Sequence, residues 1–214
     1  MALPREVEQF LHYFCGDAAN PNALLATEPL RIAFYKATAA FVRGLSSTFS
    51  GAAQADTAIV LSSVAERDVV RSTVNPGLPE LIAASVPGVA QSGGRALVSG
   101  EIHMGTNVRL GAAPAEAGPH PEDPAYPAFV RGITRDAFLV HDAVTITAGR
   151  LPASGEVLIG RLVAQQLGVT PESLTLGSPV RFEGGTFTVA GHFAAPGTTI
   201  EAEIWAPLAE LRGL

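Results

Sequence analysis

Apolar and polar positions follow two different periods along the chain. In residues 1–50 the large apolar residues, from Phe10 to Leu45, recur at roughly helical spacing, which favours helices. From Thr57 onward they form short runs separated by Gly, Pro and Ser, which is typical of strands joined by turns. The pattern predicts a helical segment over residues 1–50 and a separate domain of mixed strands and helices over residues 57–214.

Eight segments of the second part are predicted to be regular: strands over residues 57–62, 95–103, 128–133, 144–148, 156–159 and 199–205, and helices over residues 78–86 and 162–167. Residues 107–110 extend the second strand or pair with it. Pro87 and Gly88 end the first helix and Gly168 ends the second, because proline removes a donor and glycine permits positive φ. Residues 111–127 contain five prolines and almost no large apolar residue, which predicts an exposed, mobile loop.

The strongest local signal is a β-hairpin near the end of the chain. Residues 180–183 and 186–189 alternate apolar and polar on either side of Gly184 and Gly185. A glycine pair between two such runs favours a tight primed turn, since both central residues need positive φ. We predict that the hairpin buries Val180, Phe182, Phe187 and Val189.

The last predicted strand raises a question of chemistry. Glu201 and Glu203 would lie on one face of a strand over residues 199–205, about 7 Å apart, which is a spacing suited to a pair of acid and base carboxylates. The apolar residues alternate with them onto the opposite face. On an alternating strand the carboxylates are therefore expected on the solvated face, without a catalytic role.

Composition excludes several classes of protein. The chain is 47% hydrophobic and 16% charged, which is too apolar for a disordered protein. Its 14 Lys and Arg are outnumbered by 20 Asp and Glu, so non-specific binding to nucleic acid is not expected. A single Cys excludes an internal disulfide. Every apolar stretch is interrupted, and residues 1–14 lack the pattern of a secretion signal, so we expect neither a membrane span nor a signal peptide in the chain.

Catalytic and metal-binding motifs are missing from the sequence. It contains neither a phosphate-binding glycine loop nor a G-x-S-x-G nucleophile motif. Cys15 follows two aromatic residues in the helical segment, which favours a core thiol over a nucleophile. The five histidines, at positions 12, 103, 120, 141 and 192, lack metal-ligand spacing and are expected at the surface or at strand edges. We predict a protein that is not an enzyme and needs no metal or cofactor.

Residues 57–214 resemble the extracytoplasmic core domain of MacB-like, or FtsX-like, permeases of ABC transporters. The matching segments, in order, are TAIVL at 57–61, VPGV at 86–89, VRGI at 130–133, TAGRLP at 147–152, EVLIG at 156–160, FTVAGHF at 187–193 and EIWAP at 203–207. The order and spacing of these segments carry the resemblance, which covers about 150 residues.

The resemblance implies an α+β fold in which a small α/β lobe is inserted into a β-α-β framework lobe. The framework lobe would comprise about residues 57–132 and 188–214, and the inserted lobe about residues 133–187. The domain would lie outside the cytoplasmic membrane between two transmembrane helices and transmit their ATP-driven movement to a substrate or partner. The implied partners are a separate ABC ATPase subunit, a periplasmic adaptor and a second permease in a homodimer or heterodimer, and no nucleic acid.

Eight positions of the matching segments are the candidate signature residues, and we expect structural roles for all of them. Four glycines are expected where strands bend, bulge or end. Two arginines either pair with carboxylates that join the lobes or are exposed, and the only Trp is expected to anchor the last strand under the framework lobe. The eight residues are Gly88, Arg131, Gly132, Gly149, Arg150, Gly160, Gly191 and Trp205.

A second resemblance concerns the N-terminal segment. Residues 5–43, with EQFL at 8–11 and TEPLRIAFYK at 27–36, are similar to the helical C-terminal region of type I restriction endonuclease motor subunits. The sequence therefore leaves three hypotheses: an ectodomain of an ABC exporter permease, an assembly module of a restriction complex, and a free periplasmic protein that binds a small ligand.

Overall fold

The computed structural model describes residues 56–63, 72–112 and 124–213, together with Lys36, which is helical and exposed. The chain divides into two units, Met1–Ser50 and Gly51–Leu214, and the fold described below is that of the second unit. The predicted N-terminal helices, with His12 and Cys15, lie outside the described residues, as do His120 and most of the predicted loop over residues 111–127.

The second unit contains nine strands, four helices and two 3₁₀ turns in its described residues. In chain order they are α1 (Leu78–Ser85), β1 (Gln91–Ser92), β2 (Arg95–Ala96), β3 (Ile102–Leu110), β4 (Tyr126–Ile133), α2 (Ala137–Val140), β5 (Thr145–Gly149), β6 (Glu156–Gly160), α3 (Val163–Leu167), the turn Pro171–Leu174, β7 (Pro179–Phe182), β8 (Gly185–Ala194), the turn Thr199–Ala202, β9 (Glu203–Pro207) and α4 (Leu208–Arg212).

Strands β3 to β9 form one mixed sheet that closes on itself. Its strand order is β5-β8-β6-β9-β4-β3-β7, and β7 pairs with β8 as well as with β3. Six strands therefore form a ring, and β5 pairs with β8 outside it. The pairs β4–β9 and β6–β8 are parallel and the other pairs are antiparallel. This sheet, with its short helices, confirms the predicted α+β class.

The core divides according to the alternation of side chains along the ring strands. One buried cluster takes residues from all six ring strands, together with the helix α3, so it must fill the interior of the ring. A second cluster, around Leu158, Phe193 and Trp205, lies on the outer face of β6, β8 and β9 beneath the short helix α2. Both faces of these strands therefore carry buried residues, the inner face within the ring and the outer face beneath α2.

Several sequence predictions are confirmed. The two predicted helices are α1 and α3, and Gly88 and Gly168 follow them with φ of +85° and +68°. The strands predicted over residues 128–133, 144–148 and 156–159 are β4, β5 and β6. β4 begins at Tyr126, so the end of the predicted loop belongs to a strand.

Two strand predictions at the start of the domain are wrong. Residues 57–62 form no strand, and Ile59 is 74% exposed. Their weak alternation does not define a face that could be buried against a neighbouring strand. The predicted strand over residues 95–103 is divided into β2 and β3, and residues 107–110 belong to β3. Between them the chain passes under α1, where Gly100 is so close to Pro79 that a Cβ would lie 2.7 Å from the proline Cγ.

The predicted hairpin is present with its turn one residue earlier than expected. Phe182 pairs with Gly185, so Glu183 and Gly184 are the central residues, with φ of +46° and +77°. This register places Phe182 and Phe187 inside the ring, where their rings stack with centroids 4.3 Å apart. The predicted buried set is confirmed, since Val180, Phe182, Phe187 and Val189 are all at most 3% exposed.

The strands of the two predicted lobes belong to one continuous sheet. β5, β6 and β7 come from residues 133–187, and they pair with strands from both parts of the predicted framework lobe. The lobe boundaries at about residues 133 and 187 stay a prediction, and they do not coincide with a break in the strand pairing.

Candidate functional site: a buried cluster of acids, arginine and histidines

The two carboxylates that were expected on a solvated strand face are buried. Glu201 is 1% exposed and Glu203 is 5% exposed. Residues Thr199–Ala202 form a 3₁₀ turn, and the strand begins only at Glu203, so the two side chains do not share a strand face. Each carboxylate binds a different arginine. The prediction was wrong because the alternating residues 199–205 do not form one strand. The first four form the 3₁₀ turn, and the others belong to β9.

Glu203 belongs to a cluster centred on Arg131. The Arg131 guanidinium donates from Nε to Oε2 of Glu203 over 2.6 Å and from Nη2 to Oε1 over 2.7 Å. Its Nη1 donates to Oε2 of Glu101 over 2.7 Å. The three side chains are between 7% and 17% exposed. One guanidinium is therefore shared between two carboxylates, with little access for water.

Two histidines and a tryptophan complete the cluster. Nε2 of His141 lies 2.9 Å from Oε1 of Glu101. Nε2 of His103 lies 3.3 Å from Oε1 of Glu203, in an orientation that does not make a hydrogen bond. Nε1 of Trp205 donates to Oε2 of Glu203 over 3.0 Å, and the indole itself is fully buried. We call these six residues the Arg131 cluster: Glu101, His103, Arg131, His141, Glu203 and Trp205.

Strand register brings the Arg131 cluster together on the outer face of the sheet. Arg131 of β4 lies opposite His103 in the antiparallel strand β3 and opposite Trp205 in the parallel strand β9. Glu101 immediately precedes β3, and His141 caps the C-terminal end of α2, with its backbone N–H bonded to the carbonyl of Ala137. The cluster thus joins three strands and one helix that are distant in the sequence.

The electrostatics of the cluster favour charged carboxylates. Burial alone would raise the pKa of Glu203, but the hydrogen bonds from Arg131, the nearby imidazole of His103, the guanidinium charge and the hydrogen bond from Trp205 lower it to about 2. Burial opposes the same trend at Glu101, where His141 and Arg131 lower the pKa. The pKa of Arg131 is raised by the two carboxylates despite its burial. Each charge is therefore stabilised by its partners. Removing one partner would leave a buried charge whose loss of hydration is no longer compensated.

This arrangement suits a structural role better than a chemical one. The carboxylate oxygens of Glu203 face Arg131, His103 and Trp205, which leaves this side chain no open position for a substrate. In the described part of the chain, no group of three His, Cys, Asp or Glu side chains is placed to hold a metal ion. Sequence reasoning did not identify three members of the cluster, Glu101, His103 and His141, as neighbours of Arg131 and Glu203.

Arg150, the other signature arginine, forms a simpler pair at the surface. Its Nη1 and Nη2 donate to the two carboxylate oxygens of Glu156 over 2.5 and 2.6 Å, while its side chain is 63% exposed. Both partners come from the predicted inserted lobe, and Arg131 binds only residues of the predicted framework lobe. Among the residues that the structure describes, neither arginine makes a bond that bridges the two predicted lobes.

Three of the signature glycines lie where another backbone comes too close for a side chain. A Cβ at Gly160 would collide with the carbonyl oxygen of Glu201, and one at Gly191 would lie 2.6 Å from the carbonyl oxygen of Arg150. Gly149 has φ of +73° and lies against β8. Gly149 and Gly160 end their strands, and Gly191 follows a register shift of β8, as glycines at bends and bulges are expected to do.

Of the remaining two glycines, Gly132 differs from that expectation, whereas Gly88 was predicted only to end the first helix with positive φ, as it does. Gly132 lies within regular pairing of β4 and faces the helix α4, where a Cβ would be 2.9 Å from Cδ1 of Leu211. Gly88 has open space around it, and only its positive φ favours glycine. Trp205 is fully buried, packed edge-on against Phe138 and tilted against Phe193.

Comparison with known proteins places most of the chain in one family. The family described as MacB-like periplasmic core domain matches residues 32–214. The match begins 25 residues before Thr57, so it includes part of the predicted N-terminal helical segment. No curated protein matches the chain. None of the comparisons shows the resemblance of residues 5–43 to a restriction subunit.

Solved structures match the chain at low sequence identity. The periplasmic region of MacB from Actinobacillus actinomycetemcomitans is 15% identical with a TM-score of 0.38, and the match covers 53% of this chain and 48% of that one. A domain of a protein assigned as a permease from Porphyromonas gingivalis is 18% identical with a TM-score of 0.44, covering 64% and 54%. The extracellular domain of the noncanonic ABC-type transporter YknZ from Gram-positive bacteria is 21% identical with a TM-score of 0.39, covering 60% and 60%.

This chain matches only part of the length of each of these solved relatives. It spans about half to three fifths of the solved relatives it matches. Within the described residues, no helix has both the length and the apolar character needed to cross a bilayer. The family match covers more than half of the sequence, and the chain therefore belongs to the family of MacB-like periplasmic core domains.

Proposed function

We propose that the chain acts as the extracytoplasmic domain of an ABC exporter permease and transmits ATP-driven movement of membrane helices to a substrate or partner outside the membrane. The proposal is supported by membership in the MacB-like periplasmic core family over residues 32–214. In this role the domain is not an enzyme, and it works beside a separate ABC ATPase, a second permease subunit and a periplasmic adaptor.

The observation that carries the mechanical part of the proposal is the Arg131 cluster. Arg131 binds Glu101, which is 30 residues away in sequence, and Glu203, which is 72 residues away. These contacts tie the start of β3 to β9, the last strand of the sheet, through β4. A domain that transmits movement must behave as a rigid body on a hinge, and a buried network between distant segments supplies that stiffness.

The location of the cluster fits this role. Trp205 packs beneath Phe138 of α2 and donates to Glu203, so the helix, the indole and the ion pairs move together. A displacement applied to either β3 or β9 would reach the same buried guanidinium. We infer that the cluster passes such a displacement between the two segments without loss.

A chimeric permease tests the proposal directly. Residues 32–214 would replace the periplasmic core of a MacB-like permease, and the chimera would be reconstituted with that permease's ATPase in vesicles. We expect stimulated ATP hydrolysis and export that exceed those of a permease without a core domain. The variant Arg131→Met should reduce export while the ATPase subunit still assembles with the chimera.

The matched control is Arg150→Gln, which removes an exposed arginine of similar geometry. It should leave export unchanged. If the chimera transports no better than the permease that lacks a core domain, although the inserted domain is folded by circular dichroism, the proposed function is wrong. Equal export by the Arg131→Met and parent chimeras would overturn only the mechanical role of the cluster.

A further inference from the structure

A cleft on the side of the domain where α1 meets α4 is not used by the proposed function. Its volume is about 350 Å³, and it is lined by residues of α1, β2 and α4 and of the segments that follow β2 and β4. This volume lies near the lower end of the range for small-molecule sites, roughly 300–1,000 Å³. It suits a ligand of the size of a dipeptide.

The wall of the cleft that α1 forms is in close contact with the backbone without a ligand. Pro79 of α1 packs on Gly100, where a Cβ would lie 2.7 Å from the proline Cγ, so the helix sits directly on the backbone. Across the cleft, Nη2 of Arg95 donates to Oδ1 of Asp136 over 2.6 Å and joins β2 to the start of α2. The Pro79 contact keeps α1 close to the backbone at Gly100, whereas the exposed Arg95–Asp136 pair adds little stability.

The charges that line the cleft are arranged in an unusual way. Arg95 and Asp136 neutralise each other. Glu80 of α1 and Arg212 of α4 line the same cleft, yet neither makes an ion pair with any residue that the structure describes. A carboxylate and a guanidinium therefore line the same cleft without forming an ion pair with each other.

The remaining lining is apolar except for Thr134. Ala83 of α1, Val98 before β3 and Leu208 of α4 contribute small or branched side chains. Ala83 is exposed, so the side of α1 that it occupies is open to an incoming group. An apolar patch with separated charges is complementary to a small molecule that carries both charges and an apolar side chain.

We propose that this cleft binds a small zwitterionic ligand of the short-peptide class, with its carboxylate at Arg212, its ammonium group at Glu80 and its side chain over Ala83 and Leu208. Charge-assisted contacts to the two termini give orientation, and the apolar lining selects the side chain. The proposal concerns binding alone and does not depend on the transport role.

The test uses the dipeptide leucyl-alanine in three forms: with both termini free, with an acetylated N-terminus and with an amidated C-terminus. Each form is titrated into the full chain, and amide chemical shifts and calorimetry report binding. The free form should bind with a dissociation constant on the order of 1 mM, as expected for a ligand of this size. Each capped form should bind about tenfold more weakly, because it loses one charge-assisted contact.

Variants assign each terminus to its residue. Arg212→Gln should bind the free and C-amidated forms equally, and Glu80→Gln should bind the free and N-acetylated forms equally. Ala83→Trp, which fills the cleft without changing its charges, should bind none of the three. The exposed residue Arg150 lies outside the cleft lining, so Arg150→Gln should keep the wild-type preference.

Two results would overturn the proposal. The first is that wild-type protein binds all three forms equally or binds none. The second is that Ala83→Trp, shown to be folded by its thermal unfolding, still binds the free dipeptide as wild type does. Glu80 and Arg212 are both exposed, so their variants are expected to fold and keep the charge assignment testable.

Discussion

Two arginine–glutamate pairs with nearly the same geometry occupy very different places in the domain. Arg131 and Glu203 form two hydrogen bonds of 2.6 and 2.7 Å on the outer face of β4 and β9. Arg150 and Glu156 form two of 2.5 and 2.6 Å beside β5 and β6. The arginine side chain is 17% exposed in the first pair and 63% exposed in the second.

From this difference we expect burial, more than hydrogen-bond geometry, to decide how much an ion pair contributes to stability. In the exposed pair Arg150 can return to water at little cost and Glu156 keeps a backbone donor, so the pair adds little stability. In the buried pair neither group can, so each one depends on the other. A third pair lies between these extremes: Glu201 is buried and Arg161 is 59% exposed, with hydrogen bonds of 2.9 and 2.7 Å.

The largest effect is expected from removing the side chain that supports the buried pair. Trp205→Ala deletes a fully buried indole that touches Phe138 and Phe193 and donates to Glu203. We expect a loss of about 4 kcal/mol in the free energy of unfolding, since a large cavity remains and a carboxylate loses a donor. Thermal unfolding should show a drop on the order of 10 °C. An unchanged melting temperature would mean that Trp205 does not anchor the last strand.

The next largest effect is expected from breaking the buried pair itself. Arg131→Met keeps much of the arginine's volume but leaves Glu101 and Glu203 buried without their shared cation. We expect the free energy of unfolding, measured with denaturant, to fall by roughly 3 kcal/mol. The double variant Arg131→Met with Glu203→Gln should recover part of this loss, because one of the uncompensated charges is removed. If the double variant is less stable than the single one, the uncompensated charge of Glu203 is not the cause of the loss in stability.

A somewhat smaller effect is expected from acid, which protonates Glu203 of the buried pair. The pKa of Glu203 is lowered to about 2 in the folded domain, from 4.5, so its contribution is complete above about pH 4.5 and is lost as the pH falls toward 2. The gap in unfolding free energy between wild type and Glu203→Gln should therefore shrink by about 2 to 3 kcal/mol over this range. Urea unfolding at a series of pH values measures the gap, and a gap independent of pH would contradict the assigned charge state.

The contrast between the pairs also explains how much could be predicted. The hairpin, the two helices and most strands were readable from the sequence because their signals are local: alternation, glycine turns and proline stops. The burial of Glu203 could not be predicted from the sequence, because it depends on the register of β4 and β9, which lie about 70 residues apart. Alternation identifies the two faces of a strand, but it does not show that helix α2 covers the polar one.

The candidate site was predicted only in part for the same reason. Arg131 and Trp205 were selected through the family resemblance, and they are indeed neighbours across β4 and β9. Glu101, His103 and His141 have no motif that links them to Arg131, because their contact is created by the pairing of β3 with β4 and by the position of α2. The turn Thr199–Ala202 also interrupts what reads as a regular strand.

The smallest effect is expected at the exposed pair, and it completes the comparison. Arg150→Gln removes the cation, but Glu156 keeps a hydrogen bond from the backbone N–H of Ala153 over 2.9 Å and gains water. The pKa of Glu156, which the hydrogen bond from Arg150 lowers in the wild type, should rise toward its usual value. We expect no measurable shift in melting temperature, because the carboxylate is never left without solvent or a donor. A loss as large as that of Arg131→Met would show that geometry, and not burial, sets the strength of these pairs.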